Sequence, residues 1–126
     1  MSDMREIIFK AKRKDNGEWT EGDVMHEPYG ACIQYCDNKK RTKVVVIPDT
    51  ICQYTGLTDK NGNKIWENDI LECGMRLRVS WHHFKASWVL SKKGWMYNRF
   101  FGESVEPEDV EVIGNIFDNP ELLEVE

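Results

Sequence analysis

Residues 53–71, QYTGLTDKNGNKIWENDIL, place a turn signal, a hairpin signal and a strand entry in immediate succession. Asn61-Gly62 supplies residues that tolerate positive φ in a tight turn, and Asp59 is suited to bond forward onto the backbone as an Asx turn. Tyr54 and Gly56 lead into that turn. Ile65 and Trp66 then open an extended segment that passes through Glu67, Asn68 and Asp69 to Ile70 and Leu71. The stretch reads as scaffold and carries no chemistry of its own.

Working outward toward the N-terminus, residues 6–12 alternate as a strand does and stop at Asp15, Asn16 and Gly17. Residues 19–25 form the returning strand of a hairpin. Glu27, Pro28 and Gly30 break the chain, and residues 31–36 are a short strand. Lys39, Lys40, Arg41 and Lys43 form a basic cluster, read as a solvated loop before a strand at 44–47 that Pro48 and Asp49 close.

Toward the C-terminus, Met75, Leu77, Val79 and Trp81 share one face of a half-buried strand, while Arg76, Arg78 and Ser80 take the other. Phe84, Ala86, Trp88 and Leu90 repeat the pattern after a link through His82 and His83, so the two segments are expected to be antiparallel neighbours. A turn at 91–94 precedes a third extended segment at 95–101. Residues 110–117 are the last strand, with Gly114 marking a bulge or a close approach of backbone. Asn119, Pro120 and Glu121 supply an N-cap, a proline at the first helical position and an acid in the first turn of one helical turn holding Leu122 and Leu123. The pattern is that of a mostly β chain of short antiparallel strands, a small barrel or sandwich.

At 126 residues the chain has room for one domain, with five Trp, five Phe and four Tyr to fill a core. The formal net charge of −5 argues against a uniformly basic nucleic-acid binder. The first fourteen residues lack the apolar core of a signal peptide, and no apolar run reaches the roughly 18 residues that span a bilayer. A cytoplasmic protein without a membrane partner is expected. Cys32, Cys36, Cys52 and Cys73 include no CxxC pair and match no zinc spacing, so they read as buried reduced thiols. His82 and His83 are adjacent in sequence and so point to different faces of a strand, which argues against their joining Cys73 on a metal. No metal or cofactor is expected.

Three segments carry a family resemblance. QYTGLTDKNGNKIWENDIL resembles a QYTGLxDKNGxxIYEGDIV pattern, EVIGNIFDNPELL near the C-terminus resembles EVIGNIYENPELL, and the opening REIIFKAK resembles REIKFRAW. These are patterns of the YopX family, whose members are encoded by bacteriophages and prophages. The chain departs where Trp66 replaces Tyr or Phe, Asn68 replaces Gly, and Lys12 replaces Trp. Asn tolerates positive φ better than most residues, so Asn68 need not disturb a turn. The resemblance implies a β-rich domain over residues 1–126, with an N-terminal strand lobe at 1–50 and an SH3-like barrel at 51–126. It implies no catalytic residue and no ligand.

Charge is uneven along the chain. Between residues 74 and 102 stand Arg76, Arg78, Lys85, Lys92, Lys93 and Arg99 without one acid, interleaved with seven aromatics that include Trp95. Residues 103–126 hold nine acids and no base. Cations among aromatics suit a single-stranded nucleic acid, by neutralising phosphates and stacking bases. The competing account packs the aromatics inside and pairs the last strand beside residues 76–81, setting Glu111 against Arg76 and Arg78. Glu67 and Asp69, two apart, would share a strand face, but turn and surface duty is the expectation for them. The leading functional expectation is a non-enzymatic phage accessory module that binds a host or phage protein, or a second copy of itself. Nucleic-acid binding through the face from Arg76 to Phe101 is the alternative.

Overall fold

The computed structural model describes residues 6–101, 103 and 105–124. Strands dominate, and the helical content among the described residues consists of short 3₁₀ turns. The chain divides into two compact units, Met1–Tyr54 and Thr55–Glu126.

In the first unit, β1 (Phe9–Lys12), β2 (Trp19–Glu27), β3 (Gly30–Asp37) and β4 (Lys40–Val46) run antiparallel in sequence order. The expected first hairpin is present. Arg13 N–H donates to the Glu18 carbonyl at 2.8 Å, and Asn16 Oδ1 accepts from Glu18 N–H at 2.9 Å. β2 changes partner midway, pairing through Gly22 with Phe9 of β1 and through Asp23 with Gln34 of β3. Only glycine fits at that corner, because a Cβ on Gly22 would overlap the Gln34 carbonyl oxygen. The β3–β4 link is the two-residue turn Asn38-Lys39, with φ of 51° and 65°.

Lys40, Arg41 and Lys43 therefore lie within β4, paired to Asp37, Cys36 and Gln34, and not in the solvated loop expected from their charge. The far end of β4 is covered. Arg13 bridges to Val46, Lys14 N–H donates to the Val45 carbonyl and Ile47 N–H to the Lys12 carbonyl, each at 2.9 Å. The ladder thus curls back on the segment after β1 and encloses Ala11, Ala31, Ile33 and Val46. A 3₁₀ turn, Pro48–Thr50, leads into β5 (Cys52–Thr58), whose start pairs with β1 through Phe9↔Gln53.

The second unit contains β6 (Lys64–Trp66), β7 (Asp69–Glu72), β8 (Arg76–His82), β9 (Ser87–Ser91), β10 (Arg99–Phe100) and β11 (Glu111–Asn115). Five of these form one antiparallel sheet in the order β10-β9-β8-β7-β11. Its core is Ile65, Leu71, Leu77, Val79, Leu90 and Val110, each worth about 1.5–3 kcal/mol when fully buried. Edge strands β10 and β11 remain in this ladder; no strand pairing among the described residues closes it as a barrel would.

Several expectations for this unit are corrected. The segment from Ile65 to Leu71 is two strands, because Glu67 and Asn68 (φ 72°) form a turn between β6 and β7. β11 pairs with β7 and not beside residues 76–81, so Glu111 faces Glu72, and it is Glu72 that faces Arg76. Phe84 and Ala86 lie in the β8–β9 turn, where Ala86 has φ of 49°. Of residues 95–101, Arg99 and Phe100 alone form a strand. The alternation on β8 holds in its middle, where Leu77 and Val79 are buried, but Met75 and Trp81 at its ends are 42% and 47% exposed.

Candidate functional site

The residues of the opening motif build a joint. Asp59 is buried, and its Oδ1 accepts from Asn61 N–H and Asn63 N–H, both at 2.9 Å. Gly62 closes the turn at φ 83° by donating to the Asp59 carbonyl at 3.0 Å. The other carboxylate oxygen of Asp59 accepts from Val112 N–H of β11 at 2.9 Å, and Lys60 N–H donates to the Val110 carbonyl at 3.0 Å. The first bond is made to β11 and the second to the residue just before it, and both occupy backbone polar groups at an edge of the sheet. Burial pushes the Asp59 carboxyl up, but the N–H groups of Val112, Asn63 and Asn61 outweigh it and hold the group below its ordinary value.

Asp69, also buried, accepts from Trp66 N–H at 2.8 Å across the tight turn, while Glu67 sits in that turn on no shared strand face with it. Asn68 completes the joint: its N–H donates to the Val79 carbonyl at 2.9 Å, and its own carbonyl accepts from Ile116 N–H at 3.0 Å. Tyr54 and Trp66 are buried, and Gly56 has φ of 90°. At the C-terminal motif the register slips between Val112 and Gly114, as Gly114 led one to expect. Asn115 Oδ1 accepts from Phe117 N–H and Asp118 N–H at 2.9 Å. Pro120 opens the 3₁₀ turn Pro120–Leu123. Asn119 does not cap that turn forward, because its Oδ1 reaches back to accept from Asn115 N–H at 3.2 Å.

The basic residues divide. Arg76 and Arg78 from β8 meet Lys92 and Lys93, which follow β9, in a groove of about 940 Å³. Glu72, Gly74, Met75, Ser91 and Gly94 complete its lining with Leu122, Leu123 and Glu124, residues the sequence reading did not connect with it. Arg76 is held from two sides, by Glu72 Oε1 at 3.5 Å and by the Leu122 carbonyl at 3.2 Å. The acidic C-terminal stretch thus does return to an arginine, through a backbone oxygen. Arg78 donates to Asn68 Oδ1 at 3.0 Å.

Lys85, Arg99 and Trp95 do not line this groove. Lys85 belongs to the β8–β9 turn, and the Arg99 guanidinium lies 5.0 Å from the centre of the Trp95 ring. Trp95, Trp88 and Phe101 pack against the core, so the exposed aromatics of residues 74–101 are Trp81, Phe84 and Tyr97.

None of the four cysteines is in a disulfide, but only Cys32 and Cys52 are buried; Cys36 near the β3–β4 turn is exposed and Cys73 is half-buried. Burial, with the negative charges of Glu72 and Asp109, pushes the Cys73 thiol up against an opposing backbone contact from Met75. Among the described residues no three His, Cys, Asp or Glu side chains gather as metal ligands. No helix among them is long and apolar enough to cross a membrane.

Comparison with known proteins places this architecture. A search of curated proteins gives no match. The crystal structure of protein EF1440 from Enterococcus faecalis is similar over 95% of this chain and 99% of that one, with a TM-score of 0.52 and 20% sequence identity, a likeness of fold. The model of the family described as YopX protein matches residues 8–124, which include all the described residues of both motifs that meet at Asp59 and Asn68. By that match the chain belongs to the YopX family.

Proposed function

We propose that this protein is a phage- or prophage-encoded accessory protein that works by binding in the bacterial cytoplasm, and that it catalyses no reaction. The observation that carries this reading is the role of its buried polar side chains. Thr50 accepts from Lys12 N–H at 2.9 Å, Asp59 from three backbone N–H groups, and Asp69 from Trp66 N–H. Each holds backbone, where a catalytic acid or base must face a substrate. The exposed large side chains point the same way. Trp81, Phe84, Met96 and Tyr97 are from 47% to 85% exposed and offer apolar contact area to a macromolecule. A host or phage protein is the proposed partner for these side chains, and self-association is the second expected use.

The test is to express the tagged protein in a phage-producing host and to identify what co-purifies in stoichiometric amount. A defined partner lost on Phe84→Ala with Tyr97→Ala supports the reading. Turnover in a generic hydrolase screen that follows the protein through successive columns and disappears on changing one exposed polar side chain overturns it.

A further inference from the structure

We infer that the groove formed by β8, the chain leaving β9 and the 3₁₀ turn Pro120–Leu123 binds the phosphodiester backbone of a single-stranded nucleic acid. This rests on the binding reading above and adds a ligand to it. Arg76 and Arg78 are two apart on one strand, so their side chains leave the same face about 6.6 Å apart at the usual rise of about 3.3 Å per residue. That places two guanidinium groups in a row that an extended sugar–phosphate chain can follow. Arg78 pairs with Ser91, and the chain continuing from it brings Lys92 and Lys93 to the lining of the same groove.

The two kinds of cation have different roles. Arg76 is fixed by Glu72 and the Leu122 carbonyl, and Arg78 by Asn68, contacts that leave other guanidinium N–H groups for a phosphate. Lys92 and Lys93 are exposed and have no ion pair among the described residues. They supply mobile charge that exchanges its counterions on binding. Four cations face two acids, Glu72 and Glu124, and Glu72 is already engaged by Arg76. The net charge of −5 repels polyanions at long range, so attraction has to come from this groove.

Size favours a single strand over a small phosphate compound. The groove of about 940 Å³ exceeds what one phosphate fills. Tyr97, 75% exposed and three residues beyond Gly94 in sequence, offers a ring on which a base can stack. Trp95 is unsuited to that task, being packed on the core and faced by Arg99.

The experiment is a titration of the full chain against a fluorescein-labelled single-stranded DNA of about 12 nucleotides, within the usual range of site sizes. Binding should weaken with salt, and Lys92→Ala with Lys93→Ala should lower affinity by about tenfold or more. The same double variant should reduce the log–log salt slope by about 1.4, at about 0.7 per phosphate contact. Lys39→Ala with Lys40→Ala removes equal charge in the first unit and should change affinity less than about twofold. Tyr97→Ala should weaken binding and leave the salt slope unchanged, which separates stacking from charge.

The inference is overturned if the oligonucleotide does not bind at low salt, or if both lysine pairs reduce affinity equally. It also falls if a mononucleotide, a duplex or an oligoglutamate peptide competes as well as the single strand. Should the oligonucleotide fail while the tagged protein still retains a protein partner, the groove assignment is lost and the binding reading stands. Turnover in the hydrolase screen is what removes the latter.

Discussion

Asp59 joins two stretches of chain 53 residues apart, because one of its oxygens serves its own turn and the other serves Val112 on β11. Asp59→Ala would strand three backbone donors. At about 1–3 kcal/mol for each buried donor left unmade, a loss near 3 kcal/mol is expected from the Val112 bond and the turn together. Urea unfolding at neutral pH measures it, and a loss below 1 kcal/mol would contradict this role. The pH dependence has a definite sign. The folded group titrates below its ordinary value of 3.8, so its contribution is complete above that value and is lost as pH falls through the folded pKa. Asp59→Asn should therefore flatten the fall in stability below about pH 4 relative to the parent chain. Gly114 makes a second test at this scale, since a Cβ there would lie 2.5 Å from Asn119 Oδ1 and 2.8 Å from its Cγ. Gly114→Ala is expected to cost about 1–3 kcal/mol by overpacking. The cost should shrink in an Asn119→Gly background, and a strictly additive double-mutant cycle would show that the two do not meet. The Asx turn was legible in the sequence because its partners lie two and four residues away. The bond to Val112 was not, because nothing local announces it.

Along β4 the charged and apolar halves meet different surroundings. Val45 and Val46, with Ile47 just beyond the strand, belong to the end covered by Lys12 and Lys14, whereas Lys40, Arg41 and Lys43 occupy the half whose outer side has no partner strand among the described residues. An uncovered β edge is a template for another chain, and basic side chains there oppose pairing. The cluster that resembled a loop in sequence thus marks an edge. Composition cannot separate the two, since turns and edges are charged for the same reason of exposure. Arg41→Val with Lys43→Val extends the apolar run of this strand and is expected to make the protein self-associate at concentrations where the parent is dispersed. Light scattering across a concentration series would decide it, and an unchanged particle size would assign the cluster to something other than edge protection. Loss of the Lys43 bond to Glu27, 3.0 Å long and exposed, should add little to the effect.

For the molecule as a whole, the sequence revealed turns well and strand order poorly. Gly, Asn and Asp announce where the chain reverses, and hairpin neighbours follow from that. The placement of β11 against β7 is set by side chains and backbone far apart in sequence, so the pairing of Glu111 with Arg76 was expected one strand out of place. The basic residues show the same limit. Their clustering in sequence was plain, but the sheet gathers Arg76, Arg78, Lys92 and Lys93 and leaves Lys85 and Arg99 elsewhere. The four thiols sample these outcomes across both units and give the broadest test. Cys36 is exposed, Cys73 half-buried with its thiol pushed up, and Cys32 and Cys52 are 0% and 1% exposed. A thiol reagent in excess should label Cys36 first, Cys73 more slowly, and Cys32 and Cys52 only when the strands around them open, because the thiolate attacks and access limits it. Peptide mass mapping over a time course reads the order. Early labelling of Cys32 would place β3 outside the core, and labelling of Cys73 ahead of Cys36 would contradict the shielding of the β7–β8 turn.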